Sequence, residues 1–284
     1  MTEPSADPWG DHASTYDRVF APLTGYIARS MLAMTDTQMP DDARVLDIAC
    51  GSGALLLPAI ERVHRRRVAG HASVAVGCDI SGGMVDIARA KADALFDGDA
   101  FRCGVQDGQA LDEADASFDA AFSCFGIFLF PDRLAGWREA ARVLKPGGIF
   151  ATSTWAAPED NEMFRAQFGP LATALPERLT QDMTPPGWMI VADPAALSAE
   201  VSEAGFVDVQ TSRFTAQFVL PSAQTAWETM LDNPAAGALM RECSASELAA
   251  VKDAVVSSLQ ARATGPGGSI VLEAVCNVLV ARRA

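Results

Sequence analysis

The sequence predicts an α/β fold in which helices cover both faces of a doubly wound, mostly parallel sheet. Three observations support this prediction. Short apolar segments alternate with helical ones between residues 44 and 155, a glycine-containing turn joins the first strand to a helix, and 49% of the 284 residues are hydrophobic. Apolar strands that alternate with helices are typical of parallel sheets that are buried on both faces.

Seven segments have the length and composition of strands, and helical periodicity fills most intervals between them. The strands are predicted at Arg44–Ile48, Ser73–Asp79, Ala100–Gly104, Phe118–Ser123, Gly148–Thr154, Phe206–Leu220 and Ser269–Ala281. Helices are predicted at Leu23–Met34, Ala54–Arg66, Gly82–Leu95, Arg133–Leu144, Asp193–Ala204 and Ala223–Gln260. Right-handed crossovers would place the carboxyl ends of the parallel strands on one rim, where ligands bind in this architecture.

We expect one compact domain with an elaborated cap, because proline-rich and helical segments interrupt the later strands. The predicted divisions are an amino-terminal helical cap segment at 1–40, a ligand-binding core at 41–155, a cap insertion at 156–192, a continuation of the core at 193–220, a helical cap insertion at 221–267, and a final antiparallel edge strand at 268–284.

Composition excludes several classes of partner. A formal charge of −14 argues against binding to a phosphate backbone. No stretch approaches the roughly 18 uninterrupted apolar residues of a membrane span, and the first residues lack the basic end and apolar run of a signal peptide. We therefore expect a cytoplasmic protein without a nucleic-acid or membrane partner. Its oligomeric state is left open between a monomer and a homodimer, for which an apolar cap strand could provide the interface.

The six cysteines form no Cys-x-x-Cys pair, so the sequence predicts neither a metal site nor a redox motif. Most of them lie in apolar, strand-like segments, where a reduced cysteine packs as a small hydrophobic residue. The alternative is a thiol role for Cys50, Cys78 or Cys124, which fall near the predicted rim.

The segment Val45–Gly53 indicates a nucleoside site. Its strand carries Asp47 near the end, and Gly51 and Gly53 then allow a tight turn with nothing projecting from it. In the dinucleotide fingerprint a third glycine would stand where Leu56 does. Its absence favours S-adenosylmethionine, a single nucleoside carrying a sulfonium, over a nicotinamide cofactor.

A carboxylate stands at the end of the second predicted strand, and another follows the third. Asp79 is placed to accept hydrogen bonds from both hydroxyls of a ribose, although it could instead only cap the following helix. Asp107, flanked by Gln106 and Gly108, is predicted to bind the exocyclic amine of adenine. Apolar walls for the adenine are predicted from Ile80 and Met84.

The fourth strand runs into Ser123–Gly126, which is predicted to pass beside the sulfonium methyl group, with Ser123 and Cys124 at the cofactor. An Asn-Pro-Pro-Tyr tetrapeptide at this position would indicate methylation of a planar amide or a base nitrogen. The observed Ser-Cys-Phe-Gly argues against such acceptors.

Five stretches in this order, VLDIACGSG, VGCDIS, VQDGQAL, SFDAAFSCFGIFLFPD and EAARVLKPGGIFATSTW, resemble the class I S-adenosylmethionine-dependent methyltransferases. The closest resemblance is to the small-molecule branch of quinone-biosynthesis and natural-product enzymes. It covers residues 44–155 and implies a Rossmann-like, seven-stranded fold with S-adenosylmethionine as cofactor and S-adenosylhomocysteine as product. It also implies that Asp47, Ala49, Gly51 and Gly53 line the methionine and ribose side, and that an amino-terminal helix brings Tyr16 to the methionine end.

Methyl transfer is an in-line displacement, so alignment and exclusion of water are its main requirements. A general base is needed only for an acceptor that stays protonated, and His12 is the candidate. The aromatic residues Phe125, Phe128, Trp155 and Trp188 suggest an apolar, planar acceptor. The alternatives are an NAD-dependent oxidoreductase and a catalytically silent partner subunit that binds S-adenosylmethionine or S-adenosylhomocysteine.

Overall fold

The computed structural model describes residues 7–66, 73–96, 99–175, 187–232, 234–263 and 265–284. Its strands are β1 (Arg44–Ile48), β2 (Val74–Asp79), β3 (Phe101–Val105), β4 (Phe118–Cys124), β5 (Leu144–Trp155), β6 (Phe206–Leu220) and β7 (Ile270–Arg283). They form one sheet in the order β3-β2-β1-β4-β5-β7-β6. The strands from β3 to β5 pair in parallel, and β7 is antiparallel to both of its neighbours. The predicted Rossmann-like α/β class is confirmed.

The described helices are α1 (Ala13–Val19), α2 (Ala21–Thr35), α3 (Leu56–Arg66), α4 (Gly82–Leu95), α5 (Arg133–Val143), α6 (Glu162–Ala174), α7 (Pro194–Glu203), α8 (Ala223–Asp232), α9 (Pro234–Arg241) and α10 (Ala245–Gln260). Short polar side chains begin several of them. The hydroxyl of Ser81 accepts a hydrogen bond from the Met84 N–H of α4, and Asp132 and Asp193 cap α5 and α7 in the same way. Each such cap stabilises its helix by about 1 kcal/mol.

The direction of winding reverses at the centre of the sheet. β2 and β3 lie on one side of β1, whereas β4 and β5 lie on the other. A ligand crevice forms at such a switch point, outside the carboxyl ends of the two central strands. The predicted rim is therefore centred on the ends of β1 and β4.

Large apolar side chains hold this centre rigid. Trp137 of α5, Phe118 and Phe122 of β4, and Phe150 of β5 are completely buried. Trp137 meets Phe150 edge-on, with ring centroids 5.9 Å apart. Truncation of one such aromatic residue to alanine destabilises a core by about 3–5 kcal/mol.

The antiparallel edge differs in detail from the prediction. The final strand, β7, lies between β5 and β6, and β6 forms the border of the sheet. Burial explains the order: nearly every residue of β7 from Leu272 to Ala281 is buried, whereas most of β6 is exposed or half-buried. A strand covered on both faces belongs inside a sheet.

The cap also differs from the prediction. The single helix expected over 223–260 is three helices, because Pro234 starts α9 and Ser244 starts α10 with a capping box to Glu247. α10 packs on α6 and on α8, so the two predicted cap insertions meet. Residues 176–186 of the first insertion lie outside the described residues. Within the described ranges, no helix combines the length and apolar character that a membrane span needs.

Candidate active site

The turn between β1 and α3 leaves its backbone open to the crevice. Ala49, Gly51 and Gly53 have positive φ angles of 57°, 52° and 94°. A β-carbon added at Gly51 would have the ring of Tyr16 as its neighbour, at 4.0 Å, whereas one at Gly53 would press on α3 and α4. Gly51 therefore presents bare backbone beneath Tyr16, where a ligand can approach it closely.

Two residues without the freedom of glycine share this left-handed conformation at the switch point. Ala49 follows β1 and Phe125 follows β4, with φ angles of 57° and 58°. The two strand ends approach so closely that a β-carbon on Gly126 would lie 2.5 Å from that of Ala49. Such backbone strain is worth about 1–3 kcal/mol per residue and clusters at functional sites.

The carboxylate of Asp79 is held at the end of β2 by two backbone donors. The N–H of Gly51 and the N–H of Ser81 each lie 2.9 Å from one of its oxygens. Burial raises the pKa of Asp79, and these two hydrogen bonds act against that rise. Ser81 is the N-cap of α4, so the alternative role of Asp79 as the cap of that helix does not apply.

Asp47 is a buried carboxylate without a matching partner. Its relative exposure is 1%, and neither oxygen makes a well-formed hydrogen bond to a described residue; the backbone amide of Leu56 gives only weak support. Burial, followed by the neighbouring Cys103 and Asp79, raises its pKa well above the usual range. Buried polar groups are normally paired, so this side chain is suited to a positively charged ligand.

The ends of β2 and β3 form a second part of the rim. The N–H of Gln106 donates to the carbonyl of Asp79 at 3.0 Å, so the segments after the two strands are joined. Asp107 is exposed and accepts hydrogen bonds from the backbone and side chain of Gln109. Ile80 is 63% exposed and Val105 is 57% exposed, which leaves two large apolar side chains on the rim.

Two further residues predicted at the adenine are covered by protein. Met84 is buried in the first turn of α4, with 3% exposure. Gly108 is buried against the ring of Phe130, which lies 2.5 Å from the position of an added β-carbon. Gly108 therefore lets the loop after β3 pack closely, and the exposed apolar surface comes from Ile80 and Val105.

The exit of β4 is tied down by buried hydroxyls. The Ser123 hydroxyl is fully buried and accepts from the N–H of Ile127 at 3.1 Å. Ser153 accepts from the N–H of Phe125 at 3.1 Å, and Cys124 lies beside its hydroxyl. These contacts hold the chain in position where β4 leaves the sheet.

A ladder of aromatic rings begins at this exit and runs into the cap. Phe125 stacks on Trp155 with centroids 4.0 Å apart, and Phe128 meets Phe125 edge-on at 6.5 Å. Trp155 contacts Phe164, which in turn lies 5.4 Å from Trp188. The four predicted acceptor-pocket residues are thus brought together, with Phe164 joining Trp188 to the others.

The amino-terminal segment lies across the start of α4. The Asp7 carboxylate accepts hydrogen bonds from the Ser81 hydroxyl at 3.0 Å and from the N–H of Gly83 at 3.2 Å. Asp17 of α1 forms an ion pair with Lys91 of α4. The segment therefore covers the rim beside Asp79, as an amino-terminal helix over a ligand would.

His12 lies at a small cleft between this segment and the cap. Its Nδ1 is 3.7 Å from Oδ1 of Asp232 in α8, and both side chains are partly exposed. The cleft is shallow and has room for about 20 Å³, and it is lined by Trp9, His12, Thr15, Tyr16, Phe20, Thr229 and Asp232. Tyr16 contributes both to this cleft and to the cover over Gly51, so the two regions adjoin.

A second, more open depression lies on the surface near Glu113, Glu139 and Arg142. The guanidinium of Arg142 donates hydrogen bonds to the carboxylates of Glu139 and Asp115 and to the carbonyls of Leu111 and Glu113. The charged side chains of Arg142 and Glu139 that line this depression are therefore paired with one another and have a structural role. In the part of the chain that the structure describes, no three His, Cys, Asp or Glu side chains are grouped to hold a metal ion.

Comparison with known proteins agrees with this geometry. Residues 45–148 match the profile of a methyltransferase domain family. The chain is 36% identical over 115 residues to a demethylmenaquinone methyltransferase of Corynebacterium kroppenstedtii, across 40% of this chain and 43% of that protein. It is 30% identical over 197 residues to a demethylmenaquinone methyltransferase of Mycolicibacterium vanbaalenii, across 66% of this chain and 78% of that protein. The chain belongs to this methyltransferase family.

The chain is a class I methyltransferase, and the cofactor of this class is S-adenosylmethionine. The YcgJ protein from Bacillus subtilis has the same fold, with a TM-score of 0.55 and 18% identity over 90% of this chain and 98% of that protein. The chain spans about half the length of several curated relatives that it matches, 43% and 47% in two of them.

Sequence reasoning missed three residues of the site. Val105 is the last residue of β3 and pairs with Asp79, so a prediction that extended the third strand by one residue would have found it. Asp232 and Asp7 act across the fold, on His12 and on α4. No local pattern marks either of them.

Proposed function

We propose that this methyltransferase moves a methyl group from S-adenosylmethionine to a small, apolar, planar acceptor. The observation that carries the proposal is the Asp79 carboxylate, fixed by the N–H groups of Gly51 and Ser81 at the switch point of the sheet. It stands beside an open glycine turn in a chain of the methyltransferase family.

The residues present fit the cofactor. The unpaired, buried Asp47 suits a cationic group, and the bare backbone at Gly51 leaves space above the turn. When bound, the cofactor supplies an electrophilic methyl group on a positively charged sulfur. Each Asp79 oxygen accepts one backbone N–H and retains a lone pair with which to accept from a ribose hydroxyl.

The adenine end is assigned to the surface between β2 and β3. Ile80 and Val105 offer apolar faces, and the exposed Asp107 offers a carboxylate for the exocyclic amine, with Gln106 beside it. Met84 and Gly108, which are buried, belong to the protein beside this surface and not to its exposed face. Ser123 and Cys124 shape the opposite wall through the position of the backbone after β4.

The acceptor end is assigned to the surface beside Tyr16, which lies over the glycine turn and lines the cleft, and to the aromatic ladder at the exit of β4. The Phe125–Trp155 stack presents flat apolar side chains at the end of β4. Aromatic faces favour a planar ring as ligand. Two relatives are named for demethylmenaquinone, which supports a quinol or phenol as the class of acceptor.

His12 is proposed as the base that removes a proton from such an acceptor, with Asp232 orienting its imidazole ring. His12→Ala is expected to lower kcat about 10²–10⁴-fold while leaving the affinity for S-adenosylmethionine unchanged, because it removes proton transfer alone. Steady-state kinetics and calorimetry measure the two effects. His64→Ala, at the far end of α3, is the matched control; equal kinetics for His12→Ala and wild type would exclude this role.

The proposed reaction is tested by incubating the protein with S-adenosylmethionine and a panel of quinols, phenols, thiols and amines. Release of S-adenosylhomocysteine is expected with a planar quinol or phenol. Cofactor binding without product from any acceptor class would instead indicate a catalytically silent subunit. NADH fluorescence is expected to stay unchanged on addition of protein, since Leu56, at the third glycine position of a dinucleotide site, is fully buried in α3.

A further inference from the structure

Two thiols, one in the turn after β1 and one in β3, meet beside the glycine turn. The Sγ atoms of Cys50 and Cys103 lie 4.0 Å apart. Cys50 follows β1, and Cys103 is in β3, so β2 lies between them. Fifty-two residues separate the two cysteines in the chain, and no local motif joins them.

Gly77 of β2 makes this contact possible. It pairs with Asp47 on one side and with Cys103 on the other. A β-carbon at residue 77 would lie 3.2 Å from the Cys50 sulfur, so the missing side chain leaves the space through which Cys50 reaches across β2.

The two thiols differ in access and in acidity. Cys50 is buried, whereas Cys103 is partly exposed. The hydrogen bond from Cys50, together with the nearby Arg89 guanidinium, lowers the pKa of Cys103. That guanidinium is held by the carbonyl of Cys103 at 2.7 Å. An accessible thiol of lowered pKa beside a second thiol is the arrangement found in reversible redox pairs.

We propose that Cys50 and Cys103 are a modification site that a peroxide converts to an intramolecular disulfide. The Cys103 thiolate attacks one peroxide oxygen, the O–O bond breaks, and water leaves once the released hydroxide takes a proton. The Cys50 sulfur then attacks the resulting sulfenic acid, the S–O bond breaks, and the hydroxide leaves as water with the Cys50 proton. Two thiols are oxidised and one peroxide is reduced to two waters; a dithiol reverses the bond.

The disulfide would disturb the cofactor turn directly. A disulfide needs an S–S distance of about 2.05 Å, so the sulfurs must approach by roughly 2 Å. Cys103 is held in the β2–β3 ladder, whereas Cys50 is next to Gly51, whose N–H holds Asp79. The turn is therefore expected to move, and the affinity for S-adenosylmethionine to fall about tenfold to a hundredfold. This consequence rests on the proposed function, whereas formation of the disulfide does not.

The experiment treats the full-length protein with stoichiometric hydrogen peroxide and then with dithiothreitol. Thiol titration is expected to fall from six to four and to return to six on reduction. Peptide mapping should show Cys50 joined to Cys103. Cys103→Ser should abolish the paired loss, and Cys243→Ser, which removes another partly buried thiol, should leave it intact.

Calorimetry with S-adenosylmethionine before and after oxidation tests the consequence. A fall in affinity that dithiothreitol restores, and that Cys103→Ser lacks, supports the proposal. Oxidation of Cys243 or another cysteine without a Cys50–Cys103 peptide overturns the modification site. A confirmed disulfide with unchanged affinity overturns its control of the cofactor turn. Absence of cofactor binding in the untreated protein contradicts the proposed function and leaves the thiol result to be judged by mapping alone.

Discussion

Asp79→Ala is expected to weaken binding of S-adenosylmethionine about a hundredfold or more. Hydrogen bonds to a charged group contribute about 1.5–3 kcal/mol each, and the Asp79 carboxylate is assigned to both ribose hydroxyls. A loss of about 3 kcal/mol corresponds to roughly a hundredfold in the dissociation constant. Isothermal titration calorimetry on the purified variant measures this change.

The control has to separate ligand binding from folding, because Asp79 also orders the turn through Gly51 and Ser81. Asp79→Asn retains the shape and one acceptor oxygen, so it should bind with intermediate affinity. Asp86→Ala removes a carboxylate of the same charge from the exposed face of α4 and should bind as wild type does. If Asp79→Ala unfolds at the wild-type temperature and still binds with wild-type affinity, the assignment of Asp79 to the ribose is wrong.

Asp47→Asn is expected to stabilise the protein at neutral pH while weakening cofactor binding. The folded-state pKa of Asp47 lies well above the usual value of about 3.9. Its carboxyl therefore contributes most to stability below about pH 4, and the contribution is lost as pH rises through the folded-state pKa. An amide does not ionise, so the variant avoids this loss.

The gain should be small near pH 4 and should grow by at most about 1.4 kcal/mol per pH unit above it. Unsatisfied amide hydrogens offset part of this gain, so the variant should gain stability over wild type progressively from pH 4.5 to pH 8. Denaturant unfolding at pH 4.5, 6 and 8 checks the trend. Asp119→Asn is the matched control: Asp119 is paired with Lys145 and accepts from the backbone N–H of Arg44, so this substitution should destabilise the protein instead. A stability difference for Asp47→Asn that does not vary with pH would contradict the assignment of a raised pKa.

The same substitution tests the role of the unpaired carboxylate toward a cationic ligand. Asp47→Asn removes a carboxyl that can ionise when a cation binds beside it, so affinity for the proposed sulfonium and amino end should fall about tenfold, or roughly 1.4 kcal/mol. S-adenosylmethionine should then raise the unfolding temperature of wild type more than that of the variant. This trade of stability for ligand binding is typical of functional sites.

The sequence predicted some elements with their observed bounds and joined others that the structure separates. Gly82–Leu95 and Phe206–Leu220 are found as predicted, because helical and alternating periodicity are strong in these segments. The single helix expected from Ala223 to Gln260 is divided at Pro234 and Ser244. The sequence does contain the signals for both breaks, a proline at a helix start and a capping box. Those signals are short, whereas the apolar pattern continues across them.

Some contacts of the site were likewise predictable from the sequence, whereas others were not. Asp79 and Gly51 are joined by a hydrogen bond at the predicted rim, since both stand at the ends of neighbouring parallel strands. The position of His12 in the chain predicts a base, whereas only the packing of the cap brings Asp232 to it. The contact between Cys50 and Cys103 depends on β3 lying next to β2, and on Gly77 between them.

The sequence by itself determined the order of strands and helices, the glycine turn and the carboxylates at or just beyond the ends of β1, β2 and β3. These features depend on backbone preferences and on the spacing of apolar residues, and both are properties of residues close together in the chain. The tertiary structure decided which strand borders the sheet, which side chain faces His12, and that Asp47 is buried without a matching partner. Burial and pairing depend on surfaces that are far apart in the chain, so they exist only once those surfaces pack together.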